Sequence, residues 1–260
     1  MTLAHARAGR GRRPLVLLHG LLGSARNLTT LTRLLLERDP HFDIVAFDLT
    51  GHGASPPLPA GADANSLAAD VLSSARGLGL TPPLAFVGHS LGGRVALCAA
   101  RREPEWTGVV TLLDIAPGPL RTEGEVSRVL DALLDMPAAF ASRRDARARL
   151  MAAGLSQPRA DWLLLNGESA GDGYRWRIDR RALADLHASV AAEDLWPVVE
   201  GRRRWTLRCV RGAASAYVSG ADVPRLEAAG CPVTTIEGAG HFLHADRPEA
   251  VADAVAAALV

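Results

Sequence analysis

The chain has 260 residues, 48% of them hydrophobic, which suits one large core with an inserted layer and is short for two full domains. With a formal net charge of +1, nothing global points to nucleic acid or to an anionic membrane surface as a partner. All 29 basic residues are arginine, which excludes Schiff-base chemistry and the phosphate-binding lysine of a P-loop. Cys98, Cys209 and Cys231 lie far apart without metal-ligand spacing, so no metal site is expected and a reducing compartment is the simplest reading. The opening MTLAHARAGRGRRP has no apolar stretch before a cleavage site, and no run approaches the ~18 apolar residues of a membrane span. A soluble, cytoplasmic protein with no membrane partner is expected.

Short apolar runs rich in β-branched residues alternate with helical patterns. PLVLLH (14–19) precedes NLTTLTRLLLER (27–38), DIVAFDL (43–49) precedes SLAADVLSSARGLG (66–79), and PLAFVGH (83–89) precedes RVALCAARR (94–102). GVVTLLDIA (108–116) follows. Far downstream the alternation resumes with WTLRCVRG (205–212), VPRLEAAG (223–230), PVTTIEG (232–238) and EAVADAVAAAL (249–259). Continuous apolarity suits strands covered on both faces, so the pattern predicts an α/β fold with a mostly parallel sheet and helices on both faces. Between Pro117 and about Arg204 the stretches EVSRVLDALLDM, RRDARARLMAAG, PRADWLLL and RRALADLHASV read as helices, with no convincing strand. A helical cap over 118–204 is therefore expected, inserted into a core formed by 1–117 and 205–260.

GHSLGG (88–93) lies where the third apolar run gives way to a helix. It fits G-x-S-x-G, in which glycines allow a tight strand-to-helix turn that pushes a serine outward; alone, it is equally a glycine-rich turn. A serine hydroxyl needs an imidazole to take its proton, an acid to orient that imidazole, and donors aimed at the developing oxyanion. His241, in EGAGHFLHADRPE after the last predicted strand, is the preferred imidazole, with His244 its competitor. HGLLGS (19–24), after the first strand, can present a backbone N–H, and the oxyanion donors are assigned to the amides of Leu21 and Leu91.

HGLLGS, FDLTGHGAS, VGHSLGG and GAGHFLHADRP, in this order, resemble the α/β-hydrolase fold superfamily nearly end to end. The resemblance implies a triad in the order Ser, acid, His, and gives Asp48 and His52 of FDLTGHGAS a role in shaping the pocket floor. In most relatives the acid follows the strand after the cap, but RGAASAYVSGAD has Ser215 at that place. Asp222 comes several residues later and reads as a helix N-cap. Asp114, ending the strand in LLDIAPGPL, also reaches the sheet's carboxyl edge and is the favoured acid. LDIAP together with RGxxSxYV resembles a narrower group, the YbfF-like and ABHD11-like serine esterases, in which the acid sits after this earlier strand. That resemblance implies hydrolysis of short to medium acyl esters or acyl thioesters, although T-G-H-G at 50–53 departs from the group's R-N-H-G.

The triad is therefore read as Ser90, Asp114 and His241, with His19, Gly20, Arg94, Trp176 and Phe242 expected against the substrate. Trp162, Tyr174 and Trp196 are further candidates for the acyl pocket, and Arg121, Arg175 and Arg177 for holding a carboxylate or a coenzyme A phosphate. RRR at 202–204 reads as a solvated face. No cofactor is expected, the partner is a small-molecule ester or thioester, and the chain is a monomer or small homo-oligomer. Carbon–carbon bond hydrolysis, a lyase of the menaquinone-synthesis type, perhydrolysis and a noncatalytic binding protein stay open as other uses of the fold.

Overall fold

The structure is a computed structural model that describes residues 2–120 and 125–259, apart from the Glu125 side chain. In chain order its first half comprises β1 (His5–Gly9), β2 (Arg13–Leu18), α1 (Thr29–Arg38), β3 (Phe42–Phe47), α2 (Ala64–Gly77), β4 (Leu84–His89), α3 (Leu91–Arg102) and β5 (Thr107–Leu113). An insertion follows with α4 (Glu125–Leu134), β6 (Ala139–Phe140), α5 (Arg143–Ala152), α6 (Gln157–Leu163), β7 (Gly167–Ala170), β8 (Gly173–Trp176), α7 (Arg180–Ala192) and α8 (Trp196–Glu200). The chain ends with β9 (Thr206–Gly212), α9 (Asp222–Ala228), β10 (Val233–Ile236), α10 (Leu243–Asp246) and α11 (Pro248–Ala258).

Seven strands form one sheet in the order β1-β3-β2-β4-β5-β9-β10, parallel except for the edge strand β1. Period-two geometry divides each strand between two cores. In β2, Val16 and Leu18 face the layer holding α2 and α3, whereas Leu15 and Leu17 face α1 and α11. Both faces are thus apolar, which is why the strands read as unbroken hydrophobic runs. α1 and α3 lie on opposite faces of adjacent strands β2 and β4, so their connecting loops diverge and leave a crevice at the carboxyl edge.

The insertion between β5 and β9 holds a small antiparallel sheet, β6-β8-β7, as well as helices. GDGYRW, read from sequence as a separator, supplies the turn and second strand of its hairpin, with Gly171 at φ +58°. Four-residue strands are too short to declare a period. The insertion's two ends are tied together by the bonds Leu120 N–H to Ala191 O and Leu195 N–H to Pro117 O.

Candidate active site

Ser90 sits between β4 and α3 at φ 52° and ψ −116°, a left-handed conformation that costs a non-glycine residue energy. The glycines around it are steric requirements: a Cβ on Gly88 would lie 2.2 Å from the Gly92 carbonyl oxygen, and one on Gly92 would lie 2.3 Å from that of Leu18. The turn therefore packs tightly against β2 and lifts the Ser90 hydroxyl over the sheet edge.

His241 lies in the loop between β10 and α10, its Nε2 3.1 Å from Ser90 Oγ and its Nδ1 2.7 Å from Asp114 Oδ2. With the proton on Nδ1 donated to the carboxylate, the Nε2 lone pair faces the serine hydroxyl. Tyr217 stacks on the imidazole, with ring centroids 3.7 Å apart and planes 19° apart.

Asp114 directly follows β5, fully buried, with φ at 53°. Burying a carboxylate is tolerable only with donors around it, and this one accepts from the Gly212 N–H at 3.0 Å, from His241 and from the Ser215 hydroxyl. Ser215, at the position where an acid is expected after β9, thus donates its hydroxyl to Asp114. Asp222 lies in the first turn of α9, one residue past the helix cap, and accepts from the Ser219 backbone and hydroxyl at 2.8 and 2.6 Å. His244 is buried with its ring 4.5 Å from that of His89, and burial lowers its pKa to about 4.

The loop after β2 passes beside Ser90. Leu22 holds φ 61°, and its carbonyl accepts a 2.8 Å hydrogen bond from buried Asn166 of the insertion. His19 accepts from the Leu49 N–H at Nε2 and faces the Gly20 carbonyl with Nδ1, and burial lowers its pKa to about 4. Asp48 accepts from the backbone of Ala25 and of Ala54, joining this loop to the turn after β3. His52 is buried against His19, ring centroids 5.1 Å apart, and burial lowers its pKa to about 3. Neither Leu21 nor Leu91 gives its backbone N–H to a protein acceptor among the described residues.

Two cavities meet at Ser90, sharing Leu21 and Val126. The larger, about 560 Å³ including the space at its open mouth, is lined by His19, Gly20, His241 and Phe242, with Trp162 and Arg159 from the insertion. The smaller, about 300 Å³, lies towards α7 and Tyr217. Among the described residues no group of His, Cys, Asp and Glu side chains could hold a metal ion.

Several expected substrate contacts are corrected. Arg94 is fully buried and lines neither cavity; its guanidinium donates to the carbonyls of Ala116, Pro117 and Gly118 and to that of Glu193, clasping both ends of the insertion. Trp176 lines neither cavity; its indole N–H bonds to the Pro137 carbonyl and its ring lies 5.6 Å from that of Phe140. Tyr174 bonds to the Leu164 carbonyl, and Trp196 lies under Arg225. Arg175 pairs with Glu168, Arg177 bonds to the Leu165 carbonyl, and Arg121 lies outside the described residues. Of the arginine run, Arg203 holds the carbonyls of Val199 and Ala229, and Arg204 pairs with Glu105. Sequence reading missed Arg159, whose guanidinium lies 3.8 Å from the Phe242 ring centroid; PRADW carries no signal beyond helical periodicity.

A parallel sheet of this order, with a serine on the strand-to-helix turn at its switch point and a histidine loop opposite, defines the α/β-hydrolase class. The profile of the alpha/beta hydrolase family matches residues 15–254, and the chain belongs to that family. It is similar to the sn-1-specific diacylglycerol lipase ABHD11 of Xenopus laevis, 29% identical over 252 residues, covering 90% of this chain and 75% of the relative. The esterase YbfF of Escherichia coli K12 is 27% identical over 251 residues, covering 93% of this chain and 91% of the relative. Among solved structures, a marine microorganism esterase superposes with a TM-score of 0.87 at 23% identity, over 99% of both chains.

Proposed function

We propose that the chain is a serine hydrolase that cleaves carboxylic esters of short to medium acyl chains through an acyl-enzyme on Ser90, with acyl thioesters open to the same relay. The observation that carries this reading is the hydrogen-bonded line Ser90, His241, Asp114, opening onto the larger cavity. Relatives named as a lipase and an esterase support the same class.

In this mechanism His241 takes the Ser90 proton as Oγ attacks the acyl carbonyl, and Asp114 stabilises the imidazolium. The carbonyl oxygen becomes an oxyanion held by the Leu21 and Leu91 amides, each worth about 3 to 4 kcal/mol in the transition state. The imidazolium then protonates the leaving alkoxide, and water, activated by the same imidazole, releases the acid. His241 can protonate only a group beside its Nε2, and it lines the larger cavity but not the smaller. The leaving group therefore occupies the larger cavity and the acyl chain the smaller.

The test is hydrolysis of p-nitrophenyl esters from acetate to decanoate by wild type and Ser90→Ala. Wild type should turn over the shorter members and tail off as the chain outgrows the smaller cavity, with kcat lower by about 10⁶ in the variant. Wild type that hydrolyses none of the series, with Ser90 inert to a fluorophosphonate, would instead mark a lyase or a binding protein.

A further inference from the structure

The smaller cavity beside Ser90 has mostly apolar walls, Leu21, Leu91, Leu120, Val126 and Val190, completed by the Tyr217 ring and by one imidazole, His187. Leu183, Leu186 and Val190 form the buried stripe of α7, and His187, four residues after the first and three before the last, lies on that stripe. A leucine there would complete the packing with no polar atom to satisfy. The half-buried imidazole instead has no hydrogen-bond partner among the described residues. Burial lowers its pKa, so near neutral pH the ring offers one N–H and one lone pair.

A polar group set in a mostly apolar wall fixes the orientation of what enters and selects for a matching atom. By the compartment assignment above, what enters here is the acyl chain. We infer that His187 is a specificity-determining residue that donates a hydrogen bond to an oxygen on the acyl chain, so that the preferred substrates are esters of oxo- or hydroxy-substituted acids. The inference rests on the serine-hydrolase reading and deepens it. A site built to bond an oxygen discriminates against the analogue lacking it, because the protein group is then enclosed without a partner.

The experiment compares p-nitrophenyl 4-oxopentanoate and 5-oxohexanoate with their hydrocarbon isosteres, 4-methylpentanoate and 5-methylhexanoate. Each kcat/KM is divided by the ester's own hydroxide-catalysed rate, which removes intrinsic reactivity. Wild type is expected to favour at least one oxo ester about tenfold over its isostere. His187→Leu should erase the preference, and His187→Gln, which keeps an N–H donor, should retain most of it; His187→Phe serves in place of the leucine variant should that one not fold. Equal rates in wild type, or a preference that survives in His187→Leu or His187→Phe, overturn the inference and leave the serine reading standing. Failure of wild type to turn over any of the four, with Ser90 unlabelled by a fluorophosphonate, overturns both.

Discussion

On the proposed mechanism, Asp114 illustrates how a fold keeps a function while moving the residue that performs it. What the imidazole needs is a buried anion within reach of Nδ1, and β5 and β9 are adjacent strands whose ends both lie beneath His241. The acid can stand on either. Ser215 then sits where a carboxylate would repel Asp114, and as a donor it stabilises the charge instead. Asp114→Asn should lower kcat by about 10⁴ by presenting the wrong hydrogen-bond partner to Nδ1, whereas Asp222→Asn should change it less than twofold, since Asp222 serves Ser219. Steady-state kinetics on one p-nitrophenyl ester decides between them, and the opposite ranking would place the acid on α9. Ser90 and His241 are legible from sequence because a strained turn and a loop over the sheet edge demand glycines at fixed offsets. Arg94 misleads because an arginine beside a nucleophile turn looks the same in sequence whether it meets substrate or, as here, main-chain carbonyls. His187 and Arg159 sit on helices of the insertion, where no motif marks them.

At the scale of elements, the central strands and their crossover helices are readable because burial on both faces leaves a continuous apolar signature. β1, HARAG, has none: it is an edge strand held by main-chain pairing to β3 and by Arg7 on Asp43 at 2.6 Å, neither of which shows in an apolar pattern. The hairpin of the insertion escapes for a related reason, its strands being shorter than the window in which alternation can be recognised. Yet this unreadable element touches the site. Asn166, just before β7, holds the Leu22 carbonyl and with it the strained loop that carries the Leu21 amide. Asn166→Ala should cost about 1 to 3 kcal/mol in stability by leaving a buried carbonyl unpaired. It should also lower kcat several-fold with a smaller change in KM, because an oxyanion donor matters more in the transition state than in the bound substrate. Thermal melts beside initial-rate kinetics test this; a stability loss with kcat intact would mean that the loop keeps its shape without the insertion.

Across the whole molecule, the carboxyl edge of the sheet that gathers the site also gathers buried imidazoles. His19 follows β2, His52 lies in the turn after β3, His89 ends β4 and His244 lies on α10, all nearly inaccessible to water. Burial lowers the pKa of each, to about 4 for His19 and His244, to about 3 for His52 and well below the ordinary value for His89, where neighbouring His244 and His241 add repulsion. Unfolding returns them to about 6.5, so below that pH the unfolded chain binds protons that the folded chain refuses. The sign follows: this contribution to stability is fully present above about pH 6.5 and is lost as the pH falls towards 4. At pH 5 the loss is about 2 kcal/mol for each of His19, His52 and His244, with His89 acting in the same direction, and together this rivals the whole stability of an ordinary domain. Urea unfolding between pH 7.5 and 5 should show the free energy falling with a slope that reaches about three protons or more near pH 5. His52→Leu should reduce that slope by about one proton, and a free energy flat across this range would show that the folded chain accepts these protons after all.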